Sequence, residues 1–179
     1  YPGGCVIGKR PIDLHLQALR EMGAELTEEP EGLRAVCAHP AGARIRLPFP
    51  SVGATENVVL LAVRAEGDTI LQNAAREPEI TELCRFLSCM GAKIEGAGTG
   101  TIRIHGVKEL HGTEYRIQPD RIVAGTYMLL AAAAGGKVAL RDVPLEQLAA
   151  VRKVLSQMGV RQESSGNHLL LWCPGRCRG

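Results

Sequence analysis

Hydrophobic positions in this chain alternate between helical and extended periods, and the alternation returns at fixed distances. Over about 52–66, Val58, Val59, Leu61, Ala62 and Ala65 recur at helical spacing. Thr69 to Asn73 predicts a short strand. Glu79 to Met90 predicts a second helix with Ile80, Leu83, Leu87 and Met90 on one face and Gly91 as its stop. Strands are expected at about 92–95, 101–105 and 114–118, separated by Gly96-Ala97-Gly98-Thr99-Gly100 and by Glu109 to Thr113. The unit reads βαβαββ when counted from the preceding strand, an α/β fold. A helix over 120–134 carries Met128-Leu129-Leu130-Ala131-Ala132-Ala133-Ala134, is apolar nearly all round, and is expected to be buried.

The pattern repeats. Met22-Gly23, Met90-Gly91 and Met158-Gly159 each close a helix-like segment, at steps of 68 residues. Pro50 and Pro119 open helices 69 residues apart, and Gly67 and Gly136 follow those helices at the same distance. Two independent markers with one period indicate an internal repeat. Residues 5–47 then read as the back half of one copy and 119–171 as most of another. A repeat protein needs neighbours and caps, so the chain is expected to be the middle of something longer.

Composition narrows the possible partners. Aromatic residues make up 3% of the 179 residues and the net charge is +2, which gives no case for nucleic acid, whose readers cluster basic charge on one face. No apolar run approaches the roughly 20 residues of a membrane span. Tyr1-Pro2-Gly3-Gly4 has no signal-peptide anatomy, so the six cysteines (5, 37, 84, 89, 173 and 177) are expected to be reduced, in the cytoplasm. Cys173-Pro-Gly-Arg-Cys177 near His168 has loose zinc spacing but no second ligand pair. It is read as a tail after a strand; neither a metal nor a cofactor is expected.

Candidate chemistry gathers at helix starts. Pro2-Gly3-Gly4-Cys5-Val6-Ile7-Gly8-Lys9-Arg10 is a glycine-rich loop that sets one cysteine beside two cations, surroundings that favour a thiolate. It runs into a helix expected to begin at Pro11, with Asp13 in the first turn and His15 just beyond. Ser51 is a natural N-cap, and Gly53 leaves the first N–H groups open to an anion. Asn73-Ala74-Ala75-Arg76-Glu77-Pro78-Glu79 joins a strand end to a helix start, where Glu77 and Glu79 complement the helix dipole. Pro119-Asp120-Arg121 opens the helix of the next repeat, with Asp120 as its cap.

Four segments occur in order: Pro-Gly-Gly-Cys-x-Ile-Gly-x-Arg-Pro-x-Asp-Leu-His, Ser-Val-Gly-Ala-Thr, Asn-Ala-Ala-Arg-Glu-Pro-Glu-Ile and Pro-Asp-Arg-Ile-x-x-Gly-Thr. Together they resemble the UDP-N-acetylglucosamine 1-carboxyvinyltransferases, enolpyruvyl transferases that begin bacterial peptidoglycan synthesis in the cytoplasm. The resemblance covers nearly the whole chain. It implies an inside-out α/β barrel of two domains, each of three βαβαββ units, of which this chain holds roughly two and a half units. It implies that residues 1–118 are the latter part of the first domain and 119–179 the start of the second.

The substrates would be phosphoenolpyruvate and UDP-N-acetylglucosamine. Cys5 would be the mobile-loop proton donor and the thiol alkylated by fosfomycin. Arg10, Pro11, Ile12, Asp13, Leu14 and His15 would hold the UDP part, with Arg10 also facing phosphate. Ser51, Val52 and Gly53 would receive the diphosphate. Glu77 and Arg121 would lie near the cleft, with Asp120 at the interdomain crossing. Where some members carry a lysine before the serine motif, this chain has Phe49-Pro50. Other family side chains that grip phosphoenolpyruvate would come from the remainder of the polypeptide, so the chain alone is expected not to turn over. A noncatalytic module that holds a UDP-sugar or a partner is the alternative reading.

Overall fold

The computed structural model describes residues 11–30 and 32–173. They divide into two compact units, one running to Tyr115 and the other starting at Arg116. Each has its own core.

The first unit contains α1 (Asp13–Glu21), β1 (Glu25–Glu29), β2 (Gly32–Val36), β3 (Arg44–Arg46), α2 (Val52–Ala62), β4 (Asp68–Gln72), α3 (Pro78–Cys89), β5 (Lys93–Glu95) and β6 (Thr101–His105). β1 and β2 form a separate antiparallel hairpin. The other four strands make one sheet in the order β3-β4-β6-β5, with β3 and β4 parallel and the remaining pairs antiparallel. β4 alternates: Thr69 and Leu71 are buried, while Asp68 and Gln72 are exposed, the period of a half-covered strand. Leu14 and Ala18 of α1 and its C-cap Met22 lie four residues apart and enter the same core as Val58, Val59 and Ala62 of α2, Ile80, Cys84 and Leu87 of α3, and Ile102 and Ile104 of β6. α2 packs against α1, α3 and β4 and is the central helix of this unit.

The second unit contains α4 (Arg121–Ala134), β7 (Gly136–Leu140), α5 (Ala149–Gln157), β8 (Arg161–Ser165) and β9 (His168–Cys173). Its sheet runs β7-β9-β8, all antiparallel, under a core of Met128, Ala132, Leu148, Leu155, Val160, Leu169 and Leu171.

The repeat read from the sequence is present in the backbone. β4 and β7 begin 68 residues apart, and the pairs Asp68↔His105 and Gly136↔Cys173 are displaced by that step on both strands. α1, α3 and α5 all end alike. Gly23, Gly91 and Gly159 have φ of +93°, +99° and +92°, conformations favoured by glycine. In each helix the N–H after the glycine returns to the carbonyl five residues earlier: Ala24 to Leu19 at 3.0 Å, Ala92 to Leu87 at 3.0 Å and Val160 to Leu155 at 2.9 Å. These are Schellman closures. The turn after β4 and β7 is shared too. Asn73 and Asp142 have φ of +55° and +53°, and Ala74 N and Val143 N donate to the carbonyls of Gly100 and Asn167 at 3.1 and 2.8 Å.

Four expectations are corrected. Pro11 precedes the Ile12 N-cap instead of opening α1, so the helix starts two residues later. α2 ends at Ala62, and the chain continues to Ala65 through tighter bonds from Arg64 N to Leu61 O and Ala65 N to Ala62 O. No strand forms over 114–118. Tyr115 instead packs edge-on against Phe86 of α3, with ring centroids 5.3 Å apart, and Ile117 is 78% exposed. Finally, α4 buries only one side. Gly125, Met128, Ala131 and Ala132 face the core, whereas Ile122, Val123, Tyr127, Leu129 and Leu130 are each more than half exposed. A helix apolar all round buries only as much surface as its neighbours cover, and β7, β9 and α5 cover one face.

Candidate functional site

The burial of Leu14, Ala18 and Met22 orients α1 and leaves His15 half-buried on the side facing α2. His15 Nδ1 lies 2.5 Å from Asn57 Nδ2. The other edge of the ring crosses the first turn of α2. A Cβ added at Gly53 would stand 2.9 Å from His15 Cε1 and 3.4 Å from Nε2. Glycine at 53 is therefore required for the imidazole to lie where it does. The sequence argued for Gly53 as an opening for a ligand; the structure adds that His15 already lies against it.

Ser51 caps α2 in extended conformation, its Oγ accepting from Ala54 N at 3.4 Å. The N–H groups of Val52 and Gly53 fall in the first turn, which has no intrahelical acceptors. Such an end favours negative charge. His15, Ser51, Val52 and Gly53, two segments far apart in sequence, are thus brought to one place.

The same helix holds a second segment. Thr55 is fully buried, and its Oγ1 accepts from Ala75 N at 3.1 Å. Asn73 Nδ2 donates to Leu47 O at 2.9 Å, and Ala74 N donates to Gly100 O. Three bonds therefore fix the loop that presents Arg76 and Glu77 at the end of β4. Arg76 lies over the β5–β6 turn, where a Cβ at Gly100 would come within 2.9 Å of Nη2. Glu77 is the N-cap of α3 by position, with no side-chain capping bond, and is half-buried.

Other predicted residues stand elsewhere. Pro11 and Asp13 are exposed, Ile12 is half-buried and Leu14 enters the core. Asp120 and Arg121 belong to the second unit, where Asp120 Oδ1 accepts from Ile122 N at 2.7 Å and Val123 N at 3.1 Å. The carboxylate is a helix cap, as the sequence indicated. Cys5 and Arg10 lie outside the described residues. Thr55 and Asn57 were missed by the sequence reading. For Asn57 the signal was present, since it is four residues after Gly53 and hence on the same helix face; for Thr55, which opens the polar triplet Thr55-Glu56-Asn57, the sequence carries no sign of burial.

Two cysteines, Cys84 and Cys173, are buried. Burial pushes the Cys84 thiol up to about 11, and Cys173 ends β9 inside the second core. Among the described residues no three His, Cys, Asp or Glu side chains are grouped to hold a metal ion. No helix there is long and apolar enough to cross a membrane.

Comparison with known proteins decides the family. A family profile described as EPSP synthase (3-phosphoshikimate 1-carboxyvinyltransferase) matches residues 1–171. The chain belongs to the EPSP synthase family. Among the members it is similar to, the protein named UDP-N-acetylglucosamine 1-carboxyvinyltransferase of Nitratidesulfovibrio vulgaris (strain DP4) is 52% identical over 169 residues, 94% of this chain and 40% of that protein. The protein of the same name from Granulibacter bethesdensis is 52% identical over 171 residues, 95% of this chain and 41% of that protein. The chain thus spans about two fifths of the length of the curated relatives it matches. In fold it is similar to the enolpyruvyl transferase NikO from Streptomyces tendae, with a TM-score of 0.77 at 21% identity over 95% of this chain and 44% of that one. EPSP synthase from Acinetobacter baumannii gives a TM-score of 0.65 at 24% identity over 95% of this chain and 41% of that one. The α/β repeat is that of the EPSP synthase family, incomplete here.

Proposed function

We propose that this chain is part of a UDP-N-acetylglucosamine 1-carboxyvinyltransferase of the bacterial cytoplasm. In the reaction, the sugar 3-hydroxyl gives up its proton to a base as its oxygen bonds to the central carbon of phosphoenolpyruvate, and an acid delivers a proton to the methylene carbon, which becomes a methyl group. That methyl group then loses a proton as the carbon–oxygen bond to phosphate breaks, which restores the carbon–carbon double bond, releases phosphate and leaves the enolpyruvyl ether. Such steps need an acid, a base and cations that stabilise the departing phosphate. Cys5 is assigned as the proton donor and Arg10 as a phosphate contact. Pro11 to His15 would hold the UDP part, and Ser51, Val52 and Gly53 the diphosphate. Glu77 and Arg121 would line the cleft, with Asp120 at the crossing between a first domain ending at 118 and a second starting at 119.

The observation that carries this reading is identity of about one residue in two to proteins of that name over 94% of the chain. Two features support the site. His15 and the Ser51–Gly53 helix end converge, and the loop bearing Glu77 is bonded to the same helix. The division after Tyr115 supports two domains meeting near 118. The remainder of the polypeptide is needed to complete the cleft.

Phosphate release from phosphoenolpyruvate, with and without UDP-N-acetylglucosamine, tests the proposal. No release is expected from the 179-residue chain alone. A chain extended to the length of its relatives is expected to release phosphate only with the sugar nucleotide, and Cys5→Ser is expected to abolish it. An extended chain that binds the sugar nucleotide without releasing phosphate would establish the noncatalytic module instead.

A further inference from the structure

We propose that Asn57 is a positioning residue that fixes His15 in the Nε2–H tautomer and turns that N–H toward the first turn of α2. The inference rests on the reading of this surface as the UDP-sugar site. An amide nitrogen donates and does not accept, so Asn57 Nδ2 facing His15 Nδ1 at 2.5 Å requires a lone pair on Nδ1. The proton of the neutral ring then resides on Nε2. Nε2 and Cε1 form the edge that crosses Gly53, which has no side chain of its own to block it. His15 thus becomes a neutral donor beside the N–H groups of Val52 and Gly53. An oxyanion held at that helix end would meet donors from two elements instead of one.

The arrangement is built, not incidental. Asn57 stands one helical turn beyond Gly53, so one face of α2 supplies both the space for the ring and the group that sets its tautomer. The other ring nitrogen of a functional histidine is commonly held in this way by a neighbouring group. A serine-capped helix start alone would attract an anion without selecting its position. The imidazole adds a donor whose direction is set by Asn57.

The test is spectroscopic and does not depend on turnover. Long-range 1H–15N correlation on the 179-residue chain, at a pH where His15 is neutral, reports which ring nitrogen carries the proton. The expected pattern is pyrrole-like 15N at Nε2 and pyridine-like 15N at Nδ1. Asn57→Asp should invert it, because a carboxylate accepts and draws the proton to Nδ1. Asn57→Ala should leave a mixture of both. In the chain extended to the length of its relatives, addition of UDP-N-acetylglucosamine should shift His15 Nε2 together with the Val52 and Gly53 amides, and the Nε2 shift should be lost when Asn57→Asp is introduced there. A natural chain with its proton on Nδ1 overturns the proposal, whether or not either variant folds. The Nε2–H pattern without any response to the sugar nucleotide in the extended chain overturns the substrate reading while leaving the tautomer assignment standing.

Discussion

Thr55 and Thr69 are both fully buried threonines of the first unit, yet they should respond oppositely to the same substitution. Thr55 Oγ1 accepts from Ala75 N, so Thr55→Val strands a backbone N–H in the interior, at a cost of about 1–3 kcal/mol. Among the described residues Thr69 Oγ1 has no hydrogen-bond partner, so Thr69→Val removes an unsatisfied hydroxyl from a strand and should be neutral or stabilising. Urea unfolding of the two variants checks the contrast. Cys84 gives a pH-dependent counterpart. Its thiol is raised from an ordinary value of 9.0 to about 11, so the folded chain keeps a proton that the unfolded chain has released across that window. Stability should be unaffected by Cys84 below pH 9 and should fall as pH rises from 9 to 11, by about 1.4 kcal/mol for each unit of separation. Cys84→Ala should flatten that slope, although the cavity lowers the whole curve.

Among elements, the three Schellman closures make the most uniform prediction. Replacing Gly159 by alanine forces φ of +92° on a residue with a Cβ, with open space around it, and should cost about 1–2 kcal/mol through the backbone alone. Gly91→Ala should cost more, because its Cβ would also come within 3.2 Å of the His111 ring. Thermal unfolding would show the order. These closures were legible in the sequence because Met-Gly stops a helix through local chemistry. Ser51 and Asp120 were legible as caps for the same reason. The expected strand at 114–118 was not, since alternation at Tyr115 and Ile117 states a period but not a neighbour; Phe86 captures the tyrosine ring, and the strand has no sheet to join. The pairing of His15 with Asn57 was hidden for a related cause. It joins residues 42 apart, and the packing of α1 on α2 creates it.

For the whole molecule, two cores without a shared residue imply two separately perturbable units. Leu155→Ala removes a fully buried side chain from the smaller core and should cost about 2–5 kcal/mol there. Hydrogen exchange should then show lost protection in α4, α5 and β7 to β9, with β4 and β6 retained. The exposed side of α4 predicts a second behaviour. Ile122, Val123, Tyr127, Leu129 and Leu130 offer an apolar face to solvent, which favours concentration-dependent association. Light scattering should detect it, and Leu129→Lys with Leu130→Glu should reduce it.

The first turn and a half of α2 has mechanical consequences of its own. Gly53 bears the His15 ring and Asn57 grips it, while Thr55, on the turn between them, anchors the backbone of the loop that carries Arg76 and Glu77. Two surfaces that are strangers in sequence are bolted to a single lever. Any small rotation of α2 about its axis would swing the imidazole and tug the loop in one stroke, so neither could be retuned without disturbing the other.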